Sequence, residues 1–576
     1  MSRGDRGRRG AGPARETGAV RKEWGGKIRV ALIYPNRYAA GMSNLGFLLV
    51  HAGINARADA LCERVFLTGP GGQRTVAPPA GRSAASAGGL PEGRTLESGR
   101  PLCDFDVVAF SLSYENDLLN IPAILAGGGV PPLREDRSGA GERYPLVVAG
   151  GFAASLNPEP SGSLADAVVI GDGERVIDAF LELGDFRPSD PGFLRDLSRL
   201  PGVYVPAGYR PEYRGRAGDP HGLPELRSLR PLAGFPGRVA RESLDLRSLP
   251  PPPPIVLAEQ TELGSMSLVE TSRGCPRMCG FCAAAHACPG YREFPLERVR
   301  AAVDAMWPTR RKVGLIGAAV LDWPPFRTFS REILARGGCV SPASVRADLV
   351  DPEVAEILSL SGHRTVALAP ECGTERQRAR VGKVLRDETL FAAAEMLVRA
   401  GIVSFKLYFL LGVPGVSREE ETGGIASFLA EFRERVLSAA RRVGRMGRIT
   451  VVLSPFVPKP FTPLQWAPMA PERVLSERER DVVAALRGVP NVRVSGDRPA
   501  HAVAQGYLGL SDRRVGADIV ASRRGALPRG RPGFRDVLES VLHREKEADA
   551  FFPWDVVEGG PAKEALRVRY EALTGR

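Results

Sequence analysis

The chain has 576 residues, of which 43% are hydrophobic and 25% are charged, a composition that indicates several folded domains and excludes general disorder. Its formal net charge is +12, and 70 of its 78 basic residues are arginines spread along the chain. This spread favours dispersed surface charge over a dedicated polyanion site. No apolar run reaches the ~18 residues of a membrane span, and the basic first residues lack the apolar stretch of a secretory signal, so we expect a cytoplasmic protein without a membrane partner.

The front of the chain alternates between strand and helix patterns. Residues 1–26 offer little apolar surface and are predicted to be a disordered basic tail. In the domain predicted at 27–185, short Val/Ile/Leu runs predict buried strands at 28–34, 106–113, 146–149 and 167–170. A helical pattern at 44–57 and a Gly/Pro/Ser-rich insertion at about 69–100 separate the first two strands. The alternation predicts an α/β fold that begins with a Rossmann-like open, mostly parallel sheet.

A second alternation follows a Pro/Gly-rich stretch at 186–262, which predicts a semi-rigid linker. In the core predicted at 263–470, strands are expected at 265–270, 312–316, 339–346, 365–370, 404–411 and 449–454. Six strand–helix units are fewer than a closed eightfold barrel needs, so the sequence predicts a partial (β/α)6 barrel. One of its helices is predicted to begin with Asp387 as N-cap and to stop at Gly401. Residues 471–576, with a charged helix near 473–486, form a small C-terminal extension without a recognisable role.

Half of the eight cysteines lie between Cys275 and Cys288. The first barrel strand leads directly into the spacing C-x3-C-x2-C at Cys275, Cys279 and Cys282. This loop follows the carboxyl end of a strand, where α/β barrels carry their chemistry. Pro276 disfavours a helix that would bury three thiols on one face.

Two metal-binding interpretations of this loop remain. The three thiols with His286, or with Cys288, would form a structural zinc site. Three thiolates alone would instead hold an iron–sulfur cluster and leave one iron open for a ligand. The place of the loop at a barrel mouth favours the reactive centre, in which case Cys288 is expected to be a separate packed thiol.

The C-x3-C-x2-C spacing, with Phe281 before its last cysteine and after the first strand of a partial barrel, resembles the radical S-adenosylmethionine enzymes. The resemblance implies that Cys275, Cys279 and Cys282 hold a 4Fe–4S cluster whose open iron binds S-adenosylmethionine. It also implies reductive cleavage of that cofactor to a 5′-deoxyadenosyl radical, with an electron donor such as flavodoxin or ferredoxin. It names no catalytic side chain of this protein.

Later motifs follow the same family order and imply further contacts to S-adenosylmethionine. The implied cofactor-binding residues are Phe281, Gly317, Ser344, Arg346, Glu371 and Gly412. Where most members have a Gly-Gly-Glu turn, this chain has Gly317 followed by Ala-Ala-Val-Leu-Asp and lacks the glutamate. As alternatives, the two glycines are plain turn residues and Arg346 forms a structural ion pair with Glu371.

The overall layout resembles a narrower group, radical S-adenosylmethionine proteins with an N-terminal cobalamin-binding-like domain. The matching stretches include RVALIYPNRYAAGMSNLGF and ADAVVIGDGE in front, with LAPECGTERQRARVGK and FKLYFLLGVPG behind. The loop after the first strand lacks the histidine that ligates cobalamin in such domains, and His221 lies in the predicted linker with the wrong spacing. The resemblance therefore leaves both outcomes open, binding of cobalamin without a histidine ligand and no binding.

The leading hypothesis is a radical S-adenosylmethionine enzyme that acts on an unidentified small molecule or RNA. Within that class, cobalamin-dependent methyl transfer competes with direct hydrogen abstraction or rearrangement. From another class, the chain could be a non-catalytic zinc- or iron–sulfur-containing RNA-binding protein that uses its basic surface. An aromatic content of 7% disfavours that alternative, because single-stranded RNA is commonly bound by stacking on aromatic side chains.

Overall fold

The computed structural model describes residues 15–68, 92–138, 144–215, 224–522 and 525–575. Residues 1–14 of the predicted tail, residues 69–91 of the predicted insertion, and His221 lie outside the described residues. Residues 15–26 are ordered, which corrects the prediction of a disordered tail up to residue 26. Glu16–Thr17 pairs antiparallel with Leu257–Ala258, and Lys22 Nζ donates to the carbonyl oxygen of Ala60 at 2.9 Å. These few residues dock on the front domain through Ala60 and on the segment before the barrel through Leu257–Ala258.

The front half of the chain forms a six-stranded sheet with helices packed against it. The sheet contains β2 to β7, and the described strands of this half of the chain are β1 (Glu16–Thr17), β2 (Ile28–Tyr34), β3 (Ala60–Phe66), β4 (Val107–Ser111), β5 (Leu146–Gly150), β6 (Ala167–Val169), β7 (Val203–Tyr204), β8 (Tyr209–Arg214), β9 (Glu225–Pro231), β10 (Val239–Ala240) and β11 (Leu257–Ala258). The helices are α1 (Tyr38–Gly41), α2 (Leu45–Ala56), α3 (Ile121–Gly127), α4 (Arg134–Ser138), α5 (Phe152–Leu156), α6 (Glu174–Glu182) and α7 (Pro191–Leu197).

The sheet order is β3-β2-β4-β5-β6-β7, and all neighbours are parallel except β6 and β7. This arrangement confirms the predicted open, mostly parallel sheet. The predicted helix after β2 is also present as α2, where the Asn44 side chain accepts from the Phe47 N–H at 2.9 Å as an N-cap. The chain reverses its strand order between β2 and β4, so the ligand crevice expected of such a sheet lies outside their carboxyl ends.

The stretch 186–262 is more regular than the predicted linker. It contains α7 and an antiparallel hairpin of β8 and β9, in which Leu226 and Leu229 are buried. Proline and glycine content alone predicted irregular structure, whereas β9 pairs with β8 and buries both leucines. The predicted linker is therefore corrected to a partly ordered segment, and its Pro250 accepts from Arg298 of the barrel.

The second half of the chain contains a partial barrel. Its strands are β12 (Ser267–Glu270), β13 (Ser272–Arg273), β14 (Arg292–Glu293), β15 (Lys312–Ile316), β16 (Cys339–Pro342), β17 (Thr365–Glu371), β18 (Ser404–Leu411), β19 (Ile449–Pro455) and β20 (Val492–Gly496). Its helices are α8 (Ala283–His286), α9 (Leu296–Met306), α10 (Phe326–Ala335), α11 (Pro352–Leu360), α12 (Glu375–Arg380), α13 (Asp387–Arg399) and α14 (Arg418–Val443).

The barrel strands form the parallel sheets β12-β15-β16 and β17-β18-β19-β20. They include the six predicted strands, which confirms the partial barrel, and β20 extends it by one unpredicted strand. Helix α13 begins at Asp387, so its N-cap is Arg386 rather than the predicted Asp387. The Asp387 carboxylate instead accepts a hydrogen bond from the buried Arg378 guanidinium, so it does not cap the helix.

The C-terminal extension is helical and bridges the two halves. Its elements are α15 (Glu472–Ala485), α16 (Pro499–Leu510), α17 (Gly516–Ala521), α18 (Phe534–Leu538), β21 (Val557–Glu558) and α19 (Lys563–Thr574). Across the described parts of the chain, we find no helix with the length and apolar character that a membrane crossing requires. Helix α16 lies on the front sheet, and α19 lies against the cysteine loop.

Candidate functional site

The predicted cysteines lie in one closed loop at the carboxyl end of β12. Strands β13 and β14 pair antiparallel and join the two ends of this loop, which we call the cysteine loop and define as residues 274–291. Gly274 has φ +80°, and a Cβ atom there would lie 2.3 Å from the Gly290 carbonyl oxygen. Only glycine therefore lets the two ends of the loop cross this closely.

Cys275, Cys279 and Cys282 are partly buried and lie near enough to influence one another electrostatically. Burial raises the pKa of the Cys279 thiol and raises that of Cys282 to about 11, with smaller contributions from the neighbouring thiols. Thiols in such surroundings become thiolates when a metal centre supplies positive charge. The loop chemistry therefore fits a metal centre.

The arrangement does not match a single zinc ion. No group of three His, Cys, Asp or Glu side chains in the described residues is placed to hold one metal ion. His286 lies with its Nε2 atom 3.0 Å from the Cys279 carbonyl oxygen, so this nitrogen is engaged by the backbone. Three thiols that bind different irons of one cluster need not converge on a point, and the arrangement is compatible with that role.

Lys383 and Glu371 lie on the side of the barrel next to Cys279. Lys383 Nζ donates to Glu371 Oε1 at 3.0 Å and to the Ala369 carbonyl oxygen at 2.6 Å. Both charges, and that of Arg346, act on the Cys279 thiol. Glu371 has φ +66°, a strained conformation that functional sites commonly retain. Sequence patterns identified Glu371 and Arg346, but gave no signal for Lys383.

A chain of charged side chains links the cysteine loop to the ends of β15 and β16. Arg277 Nε donates to Asp322 Oδ1 at 3.0 Å, and its Nη1 atom lies 3.6 Å from Asp348 Oδ2. Arg346 Nη2 donates to the same Asp348 oxygen at 2.9 Å. Asp322 Oδ2 and Arg346 Nε are buried and have no hydrogen-bond partner among the described residues. Buried polar atoms of this kind commonly await a ligand or water.

The other four residues predicted to bind S-adenosylmethionine lie in different parts of the barrel. A Cβ atom on Gly317 would lie 2.8 Å from Ser272 Oγ, so this glycine allows the end of β15 to approach the loop base. Ser344 Oγ donates to the Ala318 carbonyl oxygen at 3.3 Å. Gly412 has φ +74° and donates its N–H to Glu421 Oε1 at 2.8 Å, and Phe281 packs partly buried against the core.

The alternative ion pair between Arg346 and Glu371 is not formed. Arg346 pairs with Asp348, whereas Glu371 pairs with Lys383. Each side chain therefore belongs to a separate charged group beside the cysteine loop. The structure brings Arg346 and Glu371 near Cys279, while Gly412 contacts α14 and α15.

The front domain contacts the cysteine loop through a cluster of charges. Arg273, two residues before Cys275, lies 2.9 Å from Asp172 Oδ1 and 2.5 Å from Glu174 Oε1. Arg292 at the other end of the loop lies 2.7 Å from Asp172 Oδ2. The Gly-Asp-Gly-Glu turn after β6, interpreted from sequence as a turn and helix start, therefore also docks on the base of the loop.

Hydrogen-bonded side chains and helix α16 lie over the carboxyl ends of the front sheet. Asn36 Nδ2 donates to Asp117 Oδ1 at 2.8 Å across the point between β2 and β4. Helix α16 covers the neighbouring strand ends, where Gln505 Nε2 donates to Glu115 Oε2 at 3.0 Å and Asn157 Nδ2 donates to the Gly509 carbonyl oxygen at 3.0 Å.

A cavity beside α16, lined by residues that include Leu112, Ala153 and Leu508, has a volume of about 10 Å³. Such a volume holds one water molecule, whereas ligand pockets are roughly 300–1,000 Å³. The residues around this cavity, in the arrangement of the structure, leave no room there for a corrinoid.

Two segments of the chain match known protein families. Residues 269–423 match the family described as the Radical SAM superfamily, and residues 46–206 match the family described as Radical SAM proteins, N-terminal. The chain is also 24% identical over 439 residues to the uncharacterized protein MJ0966 of Methanocaldococcus jannaschii, covering 75% of this chain and 78% of that protein.

Two solved structures are similar to the chain. The methyltransferase TsrM from Kitasatospora setae, with cobalamin and a [4Fe-4S] cluster bound, has 14% identity and a TM-score of 0.48 over 85% of this chain and 99% of its own. The cobalamin-dependent S-adenosylmethionine radical enzyme OxsB, with aqua-cobalamin bound, has 15% identity and a TM-score of 0.45 over 70% of this chain and 52% of its own.

The family matches cover the cysteine loop and most of the front sheet, and they set aside the non-catalytic alternative. Enzymes of this kind require a reductant and a substrate. The chain is an enzyme of the radical S-adenosylmethionine superfamily, whose cofactors are a 4Fe–4S cluster and S-adenosylmethionine.

Proposed function

We propose that Cys275, Cys279 and Cys282 hold the 4Fe–4S cluster of this enzyme. The observation that carries this proposal is the gathering of the three thiols in one closed loop at the carboxyl end of the first barrel strand. When bound, the cluster supplies the electron that splits S-adenosylmethionine into methionine and a 5′-deoxyadenosyl radical. In this proposal the enzyme consists of a front domain at 27–185 and a barrel at 263–470 that carries the cluster.

The side chains around the loop would bind the two charged groups of the amino acid part of S-adenosylmethionine. Asp322 Oδ2 is a buried acceptor without a partner among the described residues, and is suited to the ammonium group. Arg346 Nε is a buried donor that also has no partner among the described residues, and it is suited to the carboxylate. Asp322 would thereby take the role of the glutamate missing from the turn after Gly317.

Lys383 would have an electrostatic role beside the cluster. Its ammonium group is held by Glu371 and by the Ala369 carbonyl, and its charge favours the thiolate form of Cys279. Lys383 thereby stabilises negative charge on that side of the loop, whereas Glu371 has the opposite and smaller effect on Cys279. Both side chains are mostly buried, at 13% and 14% exposure, so the pair is only weakly screened by solvent.

For the reaction that follows radical formation, we propose direct hydrogen abstraction from the substrate, a small molecule or RNA. Cobalamin-dependent methyl transfer would need a corrinoid near the barrel mouth. Gln505, Leu508 and Gly509 occupy the crevice of the front sheet where such a ligand would be expected. The filled crevice therefore favours the reaction without a corrinoid.

The experiment is anaerobic reconstitution with iron and sulfide, followed by reduction with dithionite in the presence of S-adenosylmethionine. The wild-type chain should bind about four irons and release 5′-deoxyadenosine. In Cys279→Ala, both the iron content and the 5′-deoxyadenosine should fall to background, because the cluster loses one of its three ligands.

The matched control is Cys103→Ala, which removes an exposed thiol of the front domain. It should retain wild-type iron and 5′-deoxyadenosine. A Cys279→Ala protein with unchanged iron and unchanged cleavage would refute the assignment of the loop.

A further inference from the structure

The last helix of the chain, α19, packs directly against the cysteine loop, although it lies far beyond the matched radical SAM segment 269–423. The helix is anchored on its buried side by Leu566 and Tyr570. Tyr570 Oη donates to Glu545 Oε1 at 2.6 Å, and its ring lies 5.9 Å from that of Trp466. These contacts fix the helix firmly enough to position a side chain towards the loop.

Arg569 is that side chain. Its Nη2 atom donates a hydrogen bond to the carbonyl oxygen of Met278, the residue immediately before Cys279. Met278 has φ +54°, a conformation that few non-glycine residues adopt and that needs support from its surroundings. The hydrogen bond from Arg569 provides such support, because it holds the carbonyl of this strained residue in place.

The charge of Arg569 is not cancelled by a carboxylate. Within the part of the chain that the structure describes, Arg569 forms no ion pair. A guanidinium group therefore lies beside the cysteine loop with its positive charge directed at the loop.

The backbone at Gly280, next to Cys279, is closely packed on both sides. The Gly280 N–H donates to the Val381 carbonyl oxygen at 2.8 Å, and its own carbonyl accepts from the Leu464 N–H at 3.1 Å. A Cβ atom on Gly280 would lie 2.5 Å from Leu573 Cδ1 of α19. The residues between the cysteines are thus held by the barrel on one side and by α19 on the other.

We propose that Arg569 is a positioning residue of the cluster site. It fixes the backbone between Cys275 and Cys279, and its charge favours the reduced, more negative state of the cluster. The reduction potential of an iron–sulfur centre depends on nearby charge, hydrogen bonding and solvent exposure, so the potential should report on Arg569 directly. This inference rests on the proposed function, because it requires the cluster to be in the cysteine loop.

The test compares variants of the full chain after anaerobic reconstitution, with iron per chain and the midpoint potential of the cluster as readouts. Arg569→Met should lower the iron content and shift the potential in the negative direction. Arg569→Gln keeps an N–H donor without the charge, and should retain more iron than Arg569→Met while still showing the negative shift. Arg569→Lys should keep the potential close to that of the wild type.

The matched control is Arg567→Met on the same helix, since Arg567 pairs with Glu571 and lies over the Trp466 and Tyr570 rings. This variant should leave the potential unchanged. Wild-type iron and potential in Arg569→Met, or an equal shift of potential in Arg567→Met, would overturn the inference while leaving the proposed function intact. A wild-type chain that assembles no cluster would overturn both.

Discussion

Two of the four described non-glycine residues with positive φ lie beside the cysteine loop, and the other two are Phe461 and Asn491. Among the described non-glycine residues, those with positive φ include Met278 inside the loop and Glu371 at the end of β17. Met278 is held by Arg569, and Glu371 is held by Lys383. Strained residues persist where surrounding contacts over-determine them, and here both residues beside the loop have a long cationic partner.

Asp117, at the carboxyl edge of the front sheet, should make stability depend on pH. Burial raises the pKa of this carboxyl to about 6, against the opposing hydrogen bond from Asn36 and with a smaller contribution from Glu115. The folded chain therefore keeps a proton that the unfolded chain has already lost between about pH 4 and pH 6. Folding stability contributed by this group is present at low pH and is lost as the pH rises through that window.

Asp117→Asn removes this loss, because asparagine does not ionise. The variant should be more stable than the wild type at pH 7 by about 3 kcal/mol, and the difference should shrink towards pH 4. Urea unfolding at the two pH values measures it. A stability difference that stays the same at both pH values would show that Asp117 is not titrating in this window.

Residues of the candidate site could be predicted only where their sequence pattern is contained in one short segment. Cys275, Cys279 and Cys282 could be predicted from spacing alone, because the three ligands share one short loop. Asp322 and Lys383 could not, because their partners lie elsewhere in the chain and meet them only when the barrel strands align. The electrostatic partners of a metal site are therefore largely invisible to sequence patterns of this kind.

At the scale of elements, the buried apolar strands could be predicted and the irregular ones could not. Strand β3 was missed because Glu63 and Arg64 interrupt its apolar pattern. Arg64 is buried, and ion pairs with Glu16 and Glu97 offset the cost of that burial. Strand β20 was missed because it is mostly exposed at the edge of its sheet, without the apolar run of the other strands.

The junction between β6 and the cysteine loop should be sensitive to loss of Arg273. This guanidinium lies among the carboxylates of Asp172, Glu174 and Glu270 and is only 16% exposed. Arg273→Met would leave three partly buried carboxylates without their shared cation. We expect a loss of about 3 kcal/mol, measured as a lower midpoint of urea unfolding.

Arg331→Met is the control for this prediction. Arg331 also contacts two carboxylates, those of Glu353 and Glu356, but it is 50% exposed. Surface ion pairs contribute about 0–1 kcal/mol, so the midpoint should hardly move. Equal effects of the two substitutions would mean that the junction is no more important than a surface ion pair.

At the scale of the whole molecule, the C-terminal extension links the two matched segments. Helix α16 fills the edge of the front sheet, and α19 supports the loop at the mouth of the barrel. The sequence after residue 471 carries no motif that predicts this, because its role depends on contacts with residues several hundred positions earlier. The partial barrel and front sheet could be predicted from periodicity, whereas their connection through the extension could not.

The filled crevice leads to a prediction about corrinoids. The edge residues Glu115 and Asn157 are already bonded to α16, and the remaining cavity is about 10 Å³. A corrinoid could enter only if α16 left its place, which would expose the buried Leu508 and break those hydrogen bonds. We therefore expect the full chain, incubated with hydroxocobalamin and then desalted, to retain almost no corrinoid by visible absorbance.

The same sample should show undisturbed amide hydrogen exchange in α16 and normal iron content after reconstitution, which together establish that the chain is folded. Retention of one corrinoid per chain, with faster exchange in α16, would show that the helix is displaced and would favour methyl transfer over direct hydrogen abstraction. Corrinoid retention with α16 still protected would place the ligand elsewhere, and would also contradict the argument from the filled crevice. Because α16 belongs to the extension, the first of these results would make the extension a movable cover of the front domain.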